Sequence, residues 1–161
     1  MSCKNLFIDQ FSANLDEENW YPPLNKVLQG LTAEQAAWHN ESSNHSIIQL
    51  VQHLIYWNER YLLRFTEKPV PPAIESEVDP TFDVSTGDWD ETKKKLFEVL
   101  NDLRISLNEA NEDKLQSSPF EDSSDPWYSV FANINIHNAY HLGQIVCIRK
   151  LQGSWKNSPE K

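Results

Sequence analysis

The sequence predicts an all-α fold, most simply a four-helix bundle, on three observations. Four long segments carry apolar residues at helical spacing, none shows the alternation of a strand, and a proline-rich link of about twenty residues separates the second segment from the third. A link of that length suits a crossover that sets those two helices parallel. The 161 residues are read as one domain, residues 1–161, large enough to bury a core without disulfides or a structural metal.

The first helix is expected from Lys4 to about Leu15, with Leu6, Phe7, Phe11 and Leu15 as its apolar stripe and the acidic turn DEEN ending it. Pro22 and Pro23 cannot lie inside a helix but can begin one, so PPLNKVLQG restarts the chain as a short helical segment closed by Gly30. Thr32 and Gln35 have the spacing of a capping box for another short turn. The polar run HNESSNHS then leads into the second main helix, IIQLVQHLIYWNERYLLRF, whose stripe is Ile47, Val51, Leu54, Tyr61 and Phe65, broadened by Ile55 and Leu62. After the link, Asp88 and Glu91 give a capping signal for the third helix, which buries Leu96, Val99, Leu100, Leu103 and Leu107. Asn111 to Leu115 adds a short turn. The last helix runs from Pro126 to about Leu151, with Asp125 as its cap, Gly153 as its stop, Val130, Ile134, Ile145 and Ile148 on its buried stripe, and Trp155 in a tail that folds back.

Composition narrows the function. The formal net charge is −10 and the pI near 4.9, which argues against a basic nucleic-acid-binding face, so no nucleic-acid partner is expected. Two cysteines, Cys3 and Cys147, are too few for a disulfide framework, and Cys147 reads as a buried free thiol suited to a reducing cytoplasm. Neither a signal segment nor a run of about 20 apolar residues is present, so no membrane partner is expected.

The stretch HNAYHLGQIVCIRK holds the main functional signal. His137 and His141 fall four residues apart on the buried stripe of the last helix, one turn above the other. Buried imidazoles need polar partners. For a lone His the ordinary answer is a hydrogen bond within the core, but a shared cation satisfies both rings at once. His53 lies within the apolar pattern of another helix and makes a third candidate ligand, whereas His39 and His45 sit in a polar loop. Three imidazoles suit zinc, nickel or iron, with manganese also open, and leave coordination positions for water or substrate. Gln49 and Gln144 are placed to hold the second ring nitrogens of His53 and His141. Trp20, Trp57 and Trp127 are candidates to wall a pocket for a small-molecule substrate, although large aromatics at helical spacing commonly serve as core. Gly143 is read as a point of close helix packing.

HNAYHLGQI joined to the upstream SIIQLVQHLIYW resembles the DinB/YfiT-like superfamily, over nearly the whole chain. The resemblance implies a four-helix bundle with a crossed connection, commonly a homodimer, holding a metal on His53, His137 and His141. Relatives include bacillithiol- or mycothiol-dependent transferases and isomerases, proteins described as metal-dependent hydrolases, and many with no known activity. The expected function is therefore a metal-dependent enzyme, a low-molecular-weight thiol transferase or a hydrolase, with a non-catalytic metal-binding stress-response bundle as the alternative and a metal-free bundle as the third reading. Thiol transfer requires a cationic or hydrogen-bonding pocket, yet Arg60, Arg64 and Arg149 are expected in solvent. Hydrolysis requires a base, and no carboxylate stands beside the histidines in sequence, so it would have to arrive from a loop.

Overall fold

The computed structural model describes residues 3–39, 45–73, 80–82, 87–120 and 124–155. Among these residues there are seven α-helices, one 3-10 turn and no strand, so the chain is all-α. The long helices are α1 (Cys3–Leu15), α4 (Ile47–Phe65), α5 (Trp89–Glu109) and α7 (Trp127–Leu151); α2 (Leu24–Val27), α3 (Ala33–Ala37) and α6 (Glu112–Gln116) are short. Pro80–Phe82 form the 3-10 turn inside the proline-rich link. Other parts of that link, at 74–79 and 83–86, lie outside the described residues, as does most of HNESSNHS.

Helix starts follow local chemistry. Thr32 and Gln35 close a reciprocal capping box on α3, and Ser46 and Gln49 close another on α4. Asp88 accepts from the Glu91 amide to start α5, and Asn111 does the same for Lys114 at α6. Gly30 and Gly153 turn the chain at φ +70 and +73, the left-handed region that a side chain resists. The expected cap of α7 differs: Pro126 takes the N-cap position with no side-chain bond, and Asp125 is left to face a cavity.

Helices α4 and α7 meet in opposite directions. His53 contacts His141, Asn58 pairs with Asn138, and Phe65 packs edge-on to Phe131 and Trp127 at 4.9 Å, so residue numbers rise along α4 as they fall along α7. Tilted and edge-on contacts from Phe7 and Phe11 of α1 to Phe131 extend this aromatic cluster. Such pairs each contribute about 0.5–1.5 kcal/mol beyond simple burial. On α5 the expected stripe of Leu96, Val99, Leu100, Leu103 and Leu107 is buried, and on α7 so are Val130, Ile134, Ile145 and Ile148.

Several expected environments are corrected. Leu6 is exposed, because α1 turns Phe7, Phe11 and Leu15 inward and the position before Phe7 falls on the outer edge. Cys147 is exposed, since Ile145 and Ile148 claim the buried face on either side of it. Gly143 does not mark close packing: a Cβ there would meet nothing within 4 Å. Arg60 and Arg149 are buried rather than solvated. Arg149 donates to the carbonyls of Val27, Gln29 and Ser154 and stacks on Trp155, which ties the C-terminal tail and the end of α2 to α7. Burial pushes its guanidinium below the usual arginine pKa, and those carbonyls stabilise its charge in place of water. Arg60 donates to the Pro71 and Pro72 carbonyls and anchors the start of the link.

Candidate metal centre

Three histidines converge where α4 crosses α7. His53 and His141 are buried and His137 half-buried, and the ligand atoms of all three lie within 4.8 Å of one another. The His137 Nε2 stands 3.0 Å from His53 Nε2 and 3.0 Å from His141 Nε2. A tetrahedral ion bound at roughly 2.0–2.1 Å separates its nitrogens by about 3.3 Å, so a small dilation of the cluster would admit one. The donor set, three imidazole nitrogens meeting at one point, fits a divalent first-row ion.

The other ring nitrogens explain why the Nε2 atoms point inward. His141 Nδ1 lies 2.7 Å from the Gln144 amide oxygen, an acceptor, which places the proton on Nδ1 and the lone pair on Nε2. Gln144 is in turn held by its own amide nitrogen, which donates to the Tyr140 hydroxyl. His53 Nδ1 lies 2.5 Å from the Thr81 hydroxyl, and the tautomer that donates to Thr81 likewise directs its Nε2 lone pair into the cluster. Phe82 stacks flat on the His53 ring, 4.2 Å between centroids with an 8° tilt. The 3-10 turn thus fixes His53 from both its edge and its face.

Gln49 has a different role from the expected one. Its oxygen closes the α4 capping box and its amide nitrogen donates to the Phe82 carbonyl at 2.7 Å, so it pins the 3-10 turn that carries Thr81. The cap and the site share one side chain. Thr81 was not among the expected residues, because the link that carries it has no periodicity and its partner is 28 positions away. A second unexpected feature is a buried amide pair. Asn58 Nδ2 donates to Asn138 Oδ1 at 2.8 Å and Asn138 Nδ2 returns a bond to Asn58 Oδ1 at 3.1 Å, with both residues 1 % exposed or less. Asn138 directly follows His137 in sequence, and the pair ties α4 to α7 close to the cluster.

A cavity of about 300 Å3 opens on His137. Trp57 and Tyr61 of α4, Phe120, and Val130 and Ile134 of α7 give it apolar walls; Asn58, Asn133 and Asp125 supply its polar groups. The three tryptophan candidates separate here. Trp57 lines the cavity and meets the His53 ring edge-on, Trp127 is buried in the aromatic cluster with Phe65 and Phe131, and Trp20 is 98 % exposed and walls nothing. Trp20 follows the turn that ends α1, where no element covers it. His39 is exposed, and His45 stacks on the outer face of Phe82 without joining the cluster.

No helix among the described residues is long and apolar enough to cross a membrane. Comparison with curated proteins and with solved structures gave no match. The family model of the DinB superfamily matches residues 17–145, a span that contains His53, His137 and His141 and covers well over half of the sequence, and the chain belongs to that superfamily.

Proposed function

We propose that this protein is a metal-dependent enzyme that binds one divalent ion, zinc or nickel before iron or manganese, through the Nε2 atoms of His53, His137 and His141. The observation that carries the reading is the convergence of three Nε2 atoms whose opposite nitrogens, on two of the rings, are already held by Thr81 and Gln144. A divalent ion in such a site supplies Lewis acidity toward a substrate oxygen or stabilises a thiol as its thiolate. The chain's own part is to fix the rings, exclude water from behind His53 with Phe82, and offer a cavity beside His137 for a small-molecule substrate. That cavity favours an enzyme over a passive metal store, which needs no room for substrate. Hydrolysis and low-molecular-weight thiol transfer both fit this chemistry.

The same reading takes the four long helices as a bundle with a crossover between α4 and α5. Gln52 beside Gly87, and Glu59 paired with Lys95, support a parallel run of those two helices. A cytoplasmic homodimer completes the proposal.

Calorimetric titration with zinc and nickel tests it. Wild type should bind one ion per chain. His53→Ala, His137→Ala and His141→Ala should each lose more than about 100-fold in affinity, beyond the 10–100-fold typical of losing an outer partner. His39→Ala and His45→Ala should bind as wild type does. A thermal melt in chelator should still show a folded protein, because a core of this size needs no metal. Wild-type-like binding by any triad variant would remove the site.

A further inference from the structure

The cavity beside His137 has a chemical character that narrows what can occupy it. Resting on the metal reading above, we propose that it holds a small molecule with a metal-binding head, a flat apolar body and a cationic group at the end remote from the metal. Trp57, Tyr61 and Phe120 wall it, and flat π-faces favour a planar or slender apolar body. Asp125 is the one carboxylate lining it, and no Lys or Arg does among the described residues.

Asp125 and His137 line the same cavity from different places along α7. Asp125 precedes the first turn of α7, whereas His137 lies mid-helix, about 15 Å of axis beyond Trp127. The carboxylate is thus offset along the cavity from the histidines. Its charge is therefore placed to read the opposite end of the ligand. A cation resting there gains the carboxylate and the adjacent aromatic faces together.

The arginines of α4 do not reverse this sign. Arg60 directs its guanidinium donors to backbone carbonyls. Arg64 lies over the Tyr61 and Phe120 rings, 5.6 and 5.3 Å from their centroids, and braces those walls without lining the cavity. A net charge of −10 further disfavours an acidic ligand. Among the two chemistries open to the metal, a polycarboxylate thiol cofactor is therefore the poorer fit, and an amine-bearing substrate the better one.

Three benzohydroxamates with one metal-binding head and different para groups, aminomethyl, methyl and carboxylate, test the idea by calorimetry on zinc-loaded protein. The aminomethyl compound should bind about fivefold tighter than the methyl compound, as an exposed charge pair allows, and the carboxylate should bind weakest. Asp125→Asn should bring aminomethyl and methyl to equal affinity while leaving the zinc affinity unchanged, and Arg64→Gln should keep the aminomethyl preference. Equal affinities across the series, a preference that survives Asp125→Asn, or tightest binding by the carboxylate with loss in Arg64→Gln would each overturn the assignment. A separate zinc titration without hydroxamate tells the two readings apart: zinc binding with the wrong order of ligands refutes only the substrate class, whereas absence of zinc binding refutes the metal site and this inference with it.

Discussion

The two hydrogen bonds behind the histidine cluster bear on its tautomers: the Gln144 oxygen can only accept, which places the proton on His141 Nδ1, and the Thr81 hydroxyl can accept from the matching tautomer of His53. The Thr81 hydroxyl at His53 Nδ1 and the Gln144 oxygen at His141 Nδ1 free the Nε2 atoms to face a common point. Thr81→Val keeps the shape of a buried side chain and removes only the hydroxyl. It should lower zinc affinity about 10–100-fold while costing about 1 kcal/mol of stability, read by calorimetry and a denaturant melt on the same sample. An unchanged affinity would make Thr81 a packing residue alone. Gln144 was legible in the sequence because a residue three positions after His141 on a helix shares its face. Thr81 was not, since nothing local marks a link residue as the partner of a ring on another helix. Gln49 was found for a role it does not have: its side chain reads the 3-10 turn, two contacts removed from His53. At Glu67 the Lys114 ammonium hydrogen-bonded to it holds the carboxyl below its ordinary value. A carboxyl pKa depressed by folding stabilises the native state above the unfolded value and loses that contribution as pH falls through the folded value. Glu67→Gln should therefore be slightly less stable than wild type at pH 7, and the two should melt alike once acid has protonated the glutamate. A difference that persists in acid would trace the effect to the backbone, where Glu67 sits at φ 57.

At the scale of the elements, the relation between α4 and α7 sets the cluster, and the Asn58–Asn138 pair sets that relation. Replacing one asparagine by leucine leaves the other amide buried without its partner, a cost of about 1–3 kcal/mol, whereas replacing both removes the unmet groups and should restore most of the stability. Zinc affinity should not recover in the Asn58→Leu, Asn138→Leu double variant, because two leucines fill the space without fixing the register that aligns His53 with His137. Recovery of both stability and affinity would show that the amides serve packing only. The helices themselves were largely legible: the caps at Thr32 and Asp88 and the apolar stripes of α5 and α7 are local signals, and the structure obeys them, while Ser46 and Asn111 prove to be caps that the polar runs around them did not single out. Departures arise where tertiary contacts outweigh local ones. Asp125 is released from capping because Pro126 takes that place, and Arg60 and Arg149 go inside because backbone carbonyls at the ends of neighbouring segments need donors. A sequence pattern shows that an arginine is polar; it does not show that another segment will end against it.

For the whole molecule, the outer side of α7 bears on the proposed homodimer. This helix carries large apolar residues on its outer side as well as on the side that faces the core. Ile136 is 68 % exposed, Tyr140 61 % and Leu151 55 %, the second about one turn after the first and the third about three turns further along one broad outer strip, and the exposed Gly143 adds no bulk between them. Such a strip on a helix costs free energy in water unless something covers it. A second copy meeting α7 against α7 about a two-fold axis would cover both strips at once. Two tryptophans outside the long helices differ in their availability to such an interface. Trp20 remains exposed, while Trp155 folds back beneath Arg149 and is half-buried, which withdraws it as an interface residue. The prediction is that sedimentation finds a dimer at micromolar concentration, that Ile136→Lys shifts it toward a monomer of 18.7 kDa, and that Trp20→Ser does not. Ile136 is one residue from His137 but points away from the cluster, so the monomeric variant should still bind one zinc ion. A wild-type monomer across that range would refute the dimer and leave the metal site untouched; a dimer indifferent to Ile136→Lys would place the interface on another face.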